Sequence, residues 1–353
     1  MTTPDRAKLR ALVVDDSPIC RALLREILEH DGDIEVVAEA ESGRTALAMI
    51  ARYAPALMTL DLVMPGMDGL DTVAEVMARH PLPILVVTSL PASAHDDLAF
   101  RAVRRGALDL CAKPERGDAA AAHTLRAQVR TLARVPVVRH LLRAQPPVAS
   151  AEVRAHRSFE ASTRVPRVIG IGASAGGPAA IAEVLRRLPA DFPDCVAIVQ
   201  HLPPGFAPAF ARYLAGETAL AVHIVEERHA LTPGTVLLAP DGRHLEATTD
   251  GELIARPGPP VDGHTPSVTL LLRSLARVCG SAAVGVVLTG IGDDGAQGLA
   301  EMRAAGALTI AQDEASSAVF GMPRAAVLAG GATEVLALDA IADALVSRRG
   351  ARR

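Results

Sequence analysis

Tryptophan is absent from the 353 residues, and aromatic side chains make up only 2% of them. Stacking platforms for bases or sugars are therefore not expected, and the cores have to be built mainly from Ala, Val, Leu and Ile. Cysteine is also scarce. Cys20, Cys111, Cys195 and Cys279 lie far apart, with no C-x-x-C and no Cys/His pairing at zinc spacing, so neither a zinc site nor a disulfide framework is indicated. No apolar run approaches the length a membrane helix needs, and MTTPDRAKLR has no apolar segment behind its basic residues. Neither membrane insertion nor a signal peptide is expected, and the expected location is cytoplasmic. The net charge of −4 argues against a general nucleic-acid binder.

What remains is a globular composition, half apolar and about a fifth charged, on a chain too long for one ordinary core. In the first third, ALVVDD, IEVVAEA, ALMTLDLV, ILVVTS and DLCAKP read as strands. Between them, amphipathic segments start at Pro18, Arg44, Leu70 and His95, and a closing helix runs from about Asp118 to Val135. That alternation predicts a five-stranded parallel sheet covered by helices on both faces. The stretch 136–165, rich in Arg, Ala, Ser and Pro, reads as a solvated linker. Its arginines have no helix-turn-helix beside them, so a DNA-binding arm is not supported. A second, mainly parallel, doubly wound α/β domain is expected over 166–353. Its strands include RVIGIGA, CVAIVQHL, AVHIVE, VLLAP, AVGVVLTG and LTIAQD, and a hairpin is expected at HLEATTDGELIARP.

Open parallel sheets bind ligands outside the carboxyl ends of their strands. In the first domain (1–135) those ends carry Asp15 and Asp16, Asp61, Thr88 and Lys113. Clustered carboxylates need a cation, and oxygen ligands favour Mg²⁺. A carboxylate beside Mg²⁺ can attack a phosphoryl group to give an aspartyl phosphate. VVDDS, LDLVMPGMDGL, VVTS and the Lys113-Pro114 pair resemble a response-regulator receiver domain over about residues 9–134. The resemblance implies a flavodoxin-like fold, Asp61 as phosphoacceptor and a histidine kinase as phosphodonor. It also implies Mg²⁺ on Asp15, Asp16, Asp61 and the Val63 backbone, with Thr88 and Lys113 engaging the phosphoryl group. Leu110 stands three positions before Lys113, where many receivers carry an aromatic switch residue.

The segment VIGIGASAGGPAAI can be read two ways. Gly170, Gly172 and Ala175 fit a dinucleotide fingerprint, while Gly172, Ser174 and Gly176 spell the G-x-S-x-G turn that presents a nucleophile. A dinucleotide site needs an acid at the end of the next strand. That strand ends in Gln200 and His201 instead. His201 on an adjacent strand could serve as base for Ser174, and Asp293 or Asp294 of LTGIGDDGA could orient it. The order Ser…His…Asp differs from that of α/β-hydrolases.

IGASAGGPAAI, VQHLPPGFAPAFARYL, APDGRHLE, HTPSV, LTGIGDDGA and QDEASSAVFGMPRAAV resemble, in family order, the chemotaxis protein-glutamate methylesterases. The resemblance implies Ser174 as nucleophile, His201 as general base and acid, and Asp294, not Asp293, as the orienting carboxylate. Backbone N–H groups of Ala175 and Ile291 would form the oxyanion hole. Thr265 stands where many relatives carry Arg. The implied substrate is a glutamyl methyl ester on cytoplasmic helices of methyl-accepting chemotaxis receptors, with specific glutamines as a second target. No catalytic cofactor is implied for this domain. The unphosphorylated receiver would cover the cleft, and phosphorylation would release it. The competing class is a phosphorylation-controlled receptor-binding module with little catalysis.

Overall fold

The computed structural model describes residues 8–89, 96–137 and 167–347. The chain divides into two compact units, and almost all of the expected linker lies outside the described residues.

The first unit holds β1 (Leu9–Val14), β2 (Ile34–Ala40), β3 (Leu57–Leu60), β4 (Ile84–Thr88) and β5 (Asp109–Ala112). Between and after them come α1 (Pro18–Glu29), α2 (Gly43–Tyr53), α3 (Gly69–Arg79), α4 (Asp96–Arg104) and α5 (Ala119–Leu132). The sheet is wholly parallel, in the order β2-β1-β3-β4-β5. Strand order therefore reverses between β1 and β3, which opens a crevice at their carboxyl ends. The helices start where short polar side chains satisfy otherwise unpaired amides. Ser17 accepts from Cys20 N, Ser42 from Thr45 N, Asp68 from Asp71 N and Asp118 from Ala121 N. β1 stops at Val14 and β3 at Leu60, so Asp15 and Asp61 are the first residues past their strands rather than the last within them.

The second unit holds β6 (Val168–Ala173), α6 (Gly177–Arg186), β7 (Cys195–Gln200), α7 (Ala207–Ala215), β8 (Ala221–Ile224), β9 (Arg228–Ala230), β10 (Thr235–Leu238), β11 (His244–Ala247) and β12 (Glu252–Arg256). It continues through α8 (Val268–Cys279), β13 (Ala283–Val287), α9 (Ala296–Ala304), β14 (Leu308–Gln312), α10 (Met322–Leu328), β15 (Glu334–Leu336) and α11 (Leu338–Ser347). Seven parallel strands run in the order β15-β14-β13-β6-β7-β10-β8. The chain winds outward from β6 in both directions, which sets the topological switch between β6 and β13. The expected hairpin is β11–β12, and β9 joins it to make a separate antiparallel sheet of three strands.

The strands of both sheets read as near-continuous aliphatic runs because both faces are covered. β1, β3, β4, β6, β7 and β13 are almost entirely buried. The scarce phenylalanines are placed where bulk counts most: Phe100 fills the first core, and Phe192, Phe206 and Phe210 fill the second. α8 packs against β6 so closely that a Cβ on Gly172 would lie 2.0 Å from Val268 Cγ1, and one on Gly170 would lie 2.6 Å from Leu275 Cδ1. The glycines of VIGIG are therefore required by helix–sheet approach.

Candidate active and phosphoacceptor sites

At the crevice of the first unit, oxygens of Asp15, Asp16 and Asp61 lie within 4.8 Å of one another, the one such acidic group of three among the described residues. Lys113 Nζ stands 2.7 Å from Asp15 Oδ2 and 2.6 Å from Asp61 Oδ2. Burial would lower the ammonium pKa, but its hydrogen bonds to the two carboxylates raise it above the ordinary lysine value. Three carboxylates against one ammonium leave an excess negative charge, which suits a divalent cation with hard oxygen ligands. Asp15 and Asp61 are buried, and Asp16 is exposed at the rim. The Val63 amide donates to Asp61 Oδ1 at 3.4 Å while its side chain points to solvent. Thr88 is buried at the end of β4, and its carbonyl accepts from the Lys113 amide at 3.0 Å. Leu110 is buried in β5.

In the second unit, Ser174 and His201 directly follow β6 and β7, and Asp294 lies in the loop from β13 to α9; the three strands are adjacent. Main-chain bonds tie these junctions together. Ser174 N donates to Thr289 O at 3.0 Å, Leu288 N to Gly172 O at 2.9 Å, and His201 N to Ala173 O at 3.0 Å. Gly176 adopts φ 74° as the turn enters α6, a conformation that glycine takes without Cβ strain.

Gln200 occupies the strand end where a dinucleotide site would carry its ribose-binding acid. Its Nε2 donates to Ser174 O at 2.8 Å and to His201 O at 2.9 Å, so one amide group spans the Ser174 and His201 loops. A Cβ on Gly177 would fall 2.0 Å from Gln200 Oε1. That glycine admits the clamp, and a dinucleotide role for the loop has no acid to support it.

His201 Nε2 lies 2.9 Å from Asp294 Oδ2, and His201 Nδ1 is buried with no hydrogen-bond partner. The carboxylate accepts, so Nε2 carries the proton and Nδ1 keeps its lone pair. The imidazole is turned end-for-end relative to the serine-protease template, in which Nδ1 faces the carboxylate. Asp294 is fully buried and caps α8. Its Oδ2 also accepts from Val268 N at 2.7 Å, and its Oδ1 accepts from Thr269 N at 2.8 Å and Ser267 Oγ at 2.9 Å. Burial raises the carboxyl pKa, but the bonds from His201, Thr269 and Val268 outweigh it and hold the group well below the usual carboxylate range. Asp293 is exposed.

The Ala175 and Ile291 amides donate to no acceptor among the described residues, as free oxyanion donors must. Ala175 is fixed from behind, because Thr289 Oγ1 donates to its carbonyl at 2.9 Å and accepts from Val319 N at 2.8 Å. Gln312 Oε1 in turn accepts from Thr289 N at 2.8 Å. A cavity of about 220 Å³ adjoins the base, lined in part by Gln200, Leu202, Pro204, Asp241, Thr265 and Pro266. Burial pushes the Asp241 carboxyl upward, opposed by its hydrogen bonds from the Gly205 and Ala207 amides.

Sequence reasoning missed Gln200, Thr289, Gln312, Ser267 and a second imidazole, His264, as parts of this site. Only the placement of Ser267 and His264 within HTPSV hinted at the last two.

Comparison with known proteins extends the geometry to both halves of the chain. Residues 169–345 match the CheB methylesterase family, and residues 11–124 match the response regulator receiver domain. A protein-glutamate methylesterase/protein-glutamine glutaminase of Anaeromyxobacter dehalogenans is 43% identical over 94% of each chain. A protein of the same name from Yersinia pestis is 39% identical over 97% of each. The crystal structure of the Thermotoga maritima CheB methylesterase catalytic domain superposes with a TM-score of 0.50 at 31% identity, covering 52% of this chain and 98% of that one. With the Ser174 turn, its strand-end neighbours and near-full-length relatives in agreement, the chain belongs to the CheB methylesterase family and carries a response-regulator receiver domain ahead of the methylesterase domain.

Proposed function

We propose that this protein removes methyl groups from glutamyl methyl esters on chemotaxis receptors, and deamidates specific receptor glutamines, under the control of phosphorylation at Asp61. In this reading 1–135 is the receiver, 136–165 the connector and 166–353 the hydrolase, acting in the cytoplasm on the receptors' cytoplasmic helices. No described helix is long and apolar enough to cross a membrane.

The observation that carries the hydrolase reading is the imidazole anchored through Nε2 on a buried carboxylate, with Nδ1 left unpartnered. Nδ1 takes the Ser174 hydroxyl proton as Oγ attacks the ester carbonyl, and Asp294 steadies the imidazolium that forms. The N–H groups of Ala175 and Ile291 hold the oxyanion, each such donor being worth roughly a hundred- to a thousand-fold in rate. Nδ1–H then protonates the departing methoxide, and methanol leaves. A water attacks the acyl-serine with Nδ1 again as base, giving glutamate and free serine. On a glutamine the same steps release ammonia.

In the receiver, Asp15, Asp16, Asp61 and the Val63 carbonyl would hold Mg²⁺. The ion supplies charge neutralisation during phosphoryl transfer from the kinase phosphohistidine to Asp61. Lys113, now bridging Asp15 and Asp61, would turn to the phosphoryl oxygens, with Thr88 donating its hydroxyl. Full inversion of a 1:99 closed population needs about 5.5 kcal/mol, so phosphorylation at one carboxylate gives partial activation.

The test is methanol release from methylated receptor, with and without a small acyl phosphate as phosphodonor. Ser174→Ala should abolish release, and Asp61→Asn should abolish stimulation while leaving the basal rate. Undiminished release in Ser174→Ala would overturn the assignment.

A further inference from the structure

His264 belongs to the loop between β12 and α8, pinned by reciprocal backbone bonds with Val261, both 3.0 Å. Its ring lies flat on His201, with centroids 3.8 Å apart and planes 8° from parallel. No described residue hydrogen-bonds to its ring nitrogens, and the chemistry above makes no use of it.

One hydrogen bond to Asp294 fixes the Nε2 end of His201 but not the rotation of the ring about that bond. Nδ1 becomes an effective base only if the ring plane is also set, because a small misalignment of reacting groups costs rate steeply. A parallel ring stacked at van der Waals distance supplies that second constraint.

Resting on the assignment of Ser174, His201 and Asp294 above, we propose that His264 is a positioning residue: stacked and neutral, it holds the His201 plane so that Nδ1 serves Ser174, and its protonation switches the step off. The switch follows from electrostatics. Proton transfer from Ser174 makes His201 cationic, and a second cation on its face opposes that charge directly. Burial, then the neighbouring His201, depress the pKa of His264. Asp294 and Asp293 beyond β13, and Asp262 in its own loop, act in the other direction. The net shift is downward, which keeps the ring neutral at neutral pH.

Full-length His264→Ala, His264→Phe and Ser174→Ala should be assayed with phosphodonor and methylated receptor, after thermal melting has shown that they fold. His264→Ala should lose at least tenfold in kcat with KM within twofold. Phenylalanine restores a flat neutral face, so His264→Phe should recover most of that loss. Its acid limb in kcat/KM should follow a single proton, less steep than in wild type. Wild-type kcat in His264→Ala, or a folded His264→Phe no better than alanine, would overturn the proposal. So would an acid limb in the Phe variant as steep as in wild type. If Ser174→Ala still releases methanol, the nucleophile assignment itself fails and this proposal falls with it. An inactive Ser174→Ala beside an unimpaired His264→Ala removes the His264 role alone.

Discussion

Replacing Asp294 by Asn separates charge from shape at the most crowded point of the site. The carboxylate accepts four hydrogen bonds, from His201 Nε2 (2.9 Å), Val268 N (2.7 Å), Thr269 N (2.8 Å) and Ser267 Oγ (2.9 Å), and donates none. A carboxamide offers one acceptor oxygen and one NH₂. Whichever way it turns, the NH₂ faces a backbone N–H of α8, either Val268 or Thr269. A buried donor left in that state costs about 1–3 kcal/mol, and losing a negative charge at a helix N-terminus costs roughly 0.3–1 kcal/mol more. Asp294→Asn should therefore destabilise the catalytic domain by about 1–4 kcal/mol without unfolding it. The rate falls further, because a neutral partner no longer stabilises the His201 imidazolium. A loss of about 10³–10⁴ in kcat, or roughly 4–5.5 kcal/mol of barrier, is expected with KM little changed. Methanol release and urea denaturation of the same preparation give both numbers. The stability gap has a definite pH window. The folded pKa of Asp294 lies below its unfolded value, so its contribution is complete above the unfolded pKa and fades as pH falls below about 4. A folded Asn variant within tenfold of wild-type kcat would refute this account of how the base is held.

Two other substitutions test different parts of the molecule. A Cβ at Gly290 would lie 2.2 Å from Met322 Sδ and 2.9 Å from Ser174 Cβ, so Gly290→Ala should displace the nucleophile and lower kcat at least tenfold. Restored activity on shortening Met322 as well would assign the loss to the thioether, and persistent loss would assign it to Ser174. In the receiver, burial pushes the Asp109 carboxyl up to about 7 against the hydrogen bonds that oppose it. Its stabilising proton is present below the unfolded pKa and is lost as pH rises through about 7. Asp109→Asn should therefore stabilise the receiver by roughly 2–4 kcal/mol at pH 8 and by little near pH 4, read from the receiver transition in urea. Equal stability of the two proteins at pH 8 would count against it.

The candidate site residues were legible because open parallel sheets put such groups at fixed places. Asp15, Asp61 and Lys113 directly follow strands and Thr88 ends one, while Ser174 and His201 directly follow theirs and Asp294 lies in the loop beyond β13. Residues that hold those groups were not legible, since their roles depend on contacts between distant segments. Gln200 is an ordinary strand-end residue until its amide is found reaching back to Ser174 O. Thr289 acquires its meaning only through Val319 and Ala175. Ser267 stands in HTPSV, but neither its cap on α8 nor its hydroxyl bond to Asp294 showed in the sequence. Elements were missed for the same reason. α7 begins at Ala207 with no side-chain cap from Phe206, because Asp241 from another segment accepts the Gly205 and Ala207 amides. β9 is three residues long and becomes a strand only by pairing with β12.

The main-chain ties at the strand ends bear on how this centre loses activity. Ser174 and His201 have no private flexibility in their backbones, since their amide hydrogens are committed to Thr289 and Ala173 carbonyls across the middle of the sheet. Solvent exchange at these two amides should then track the opening of the central strands rather than local loop motion. Denaturant would abolish hydrolysis and unfold the domain at the same concentration, and no folded but catalytically slack form would accumulate beforehand.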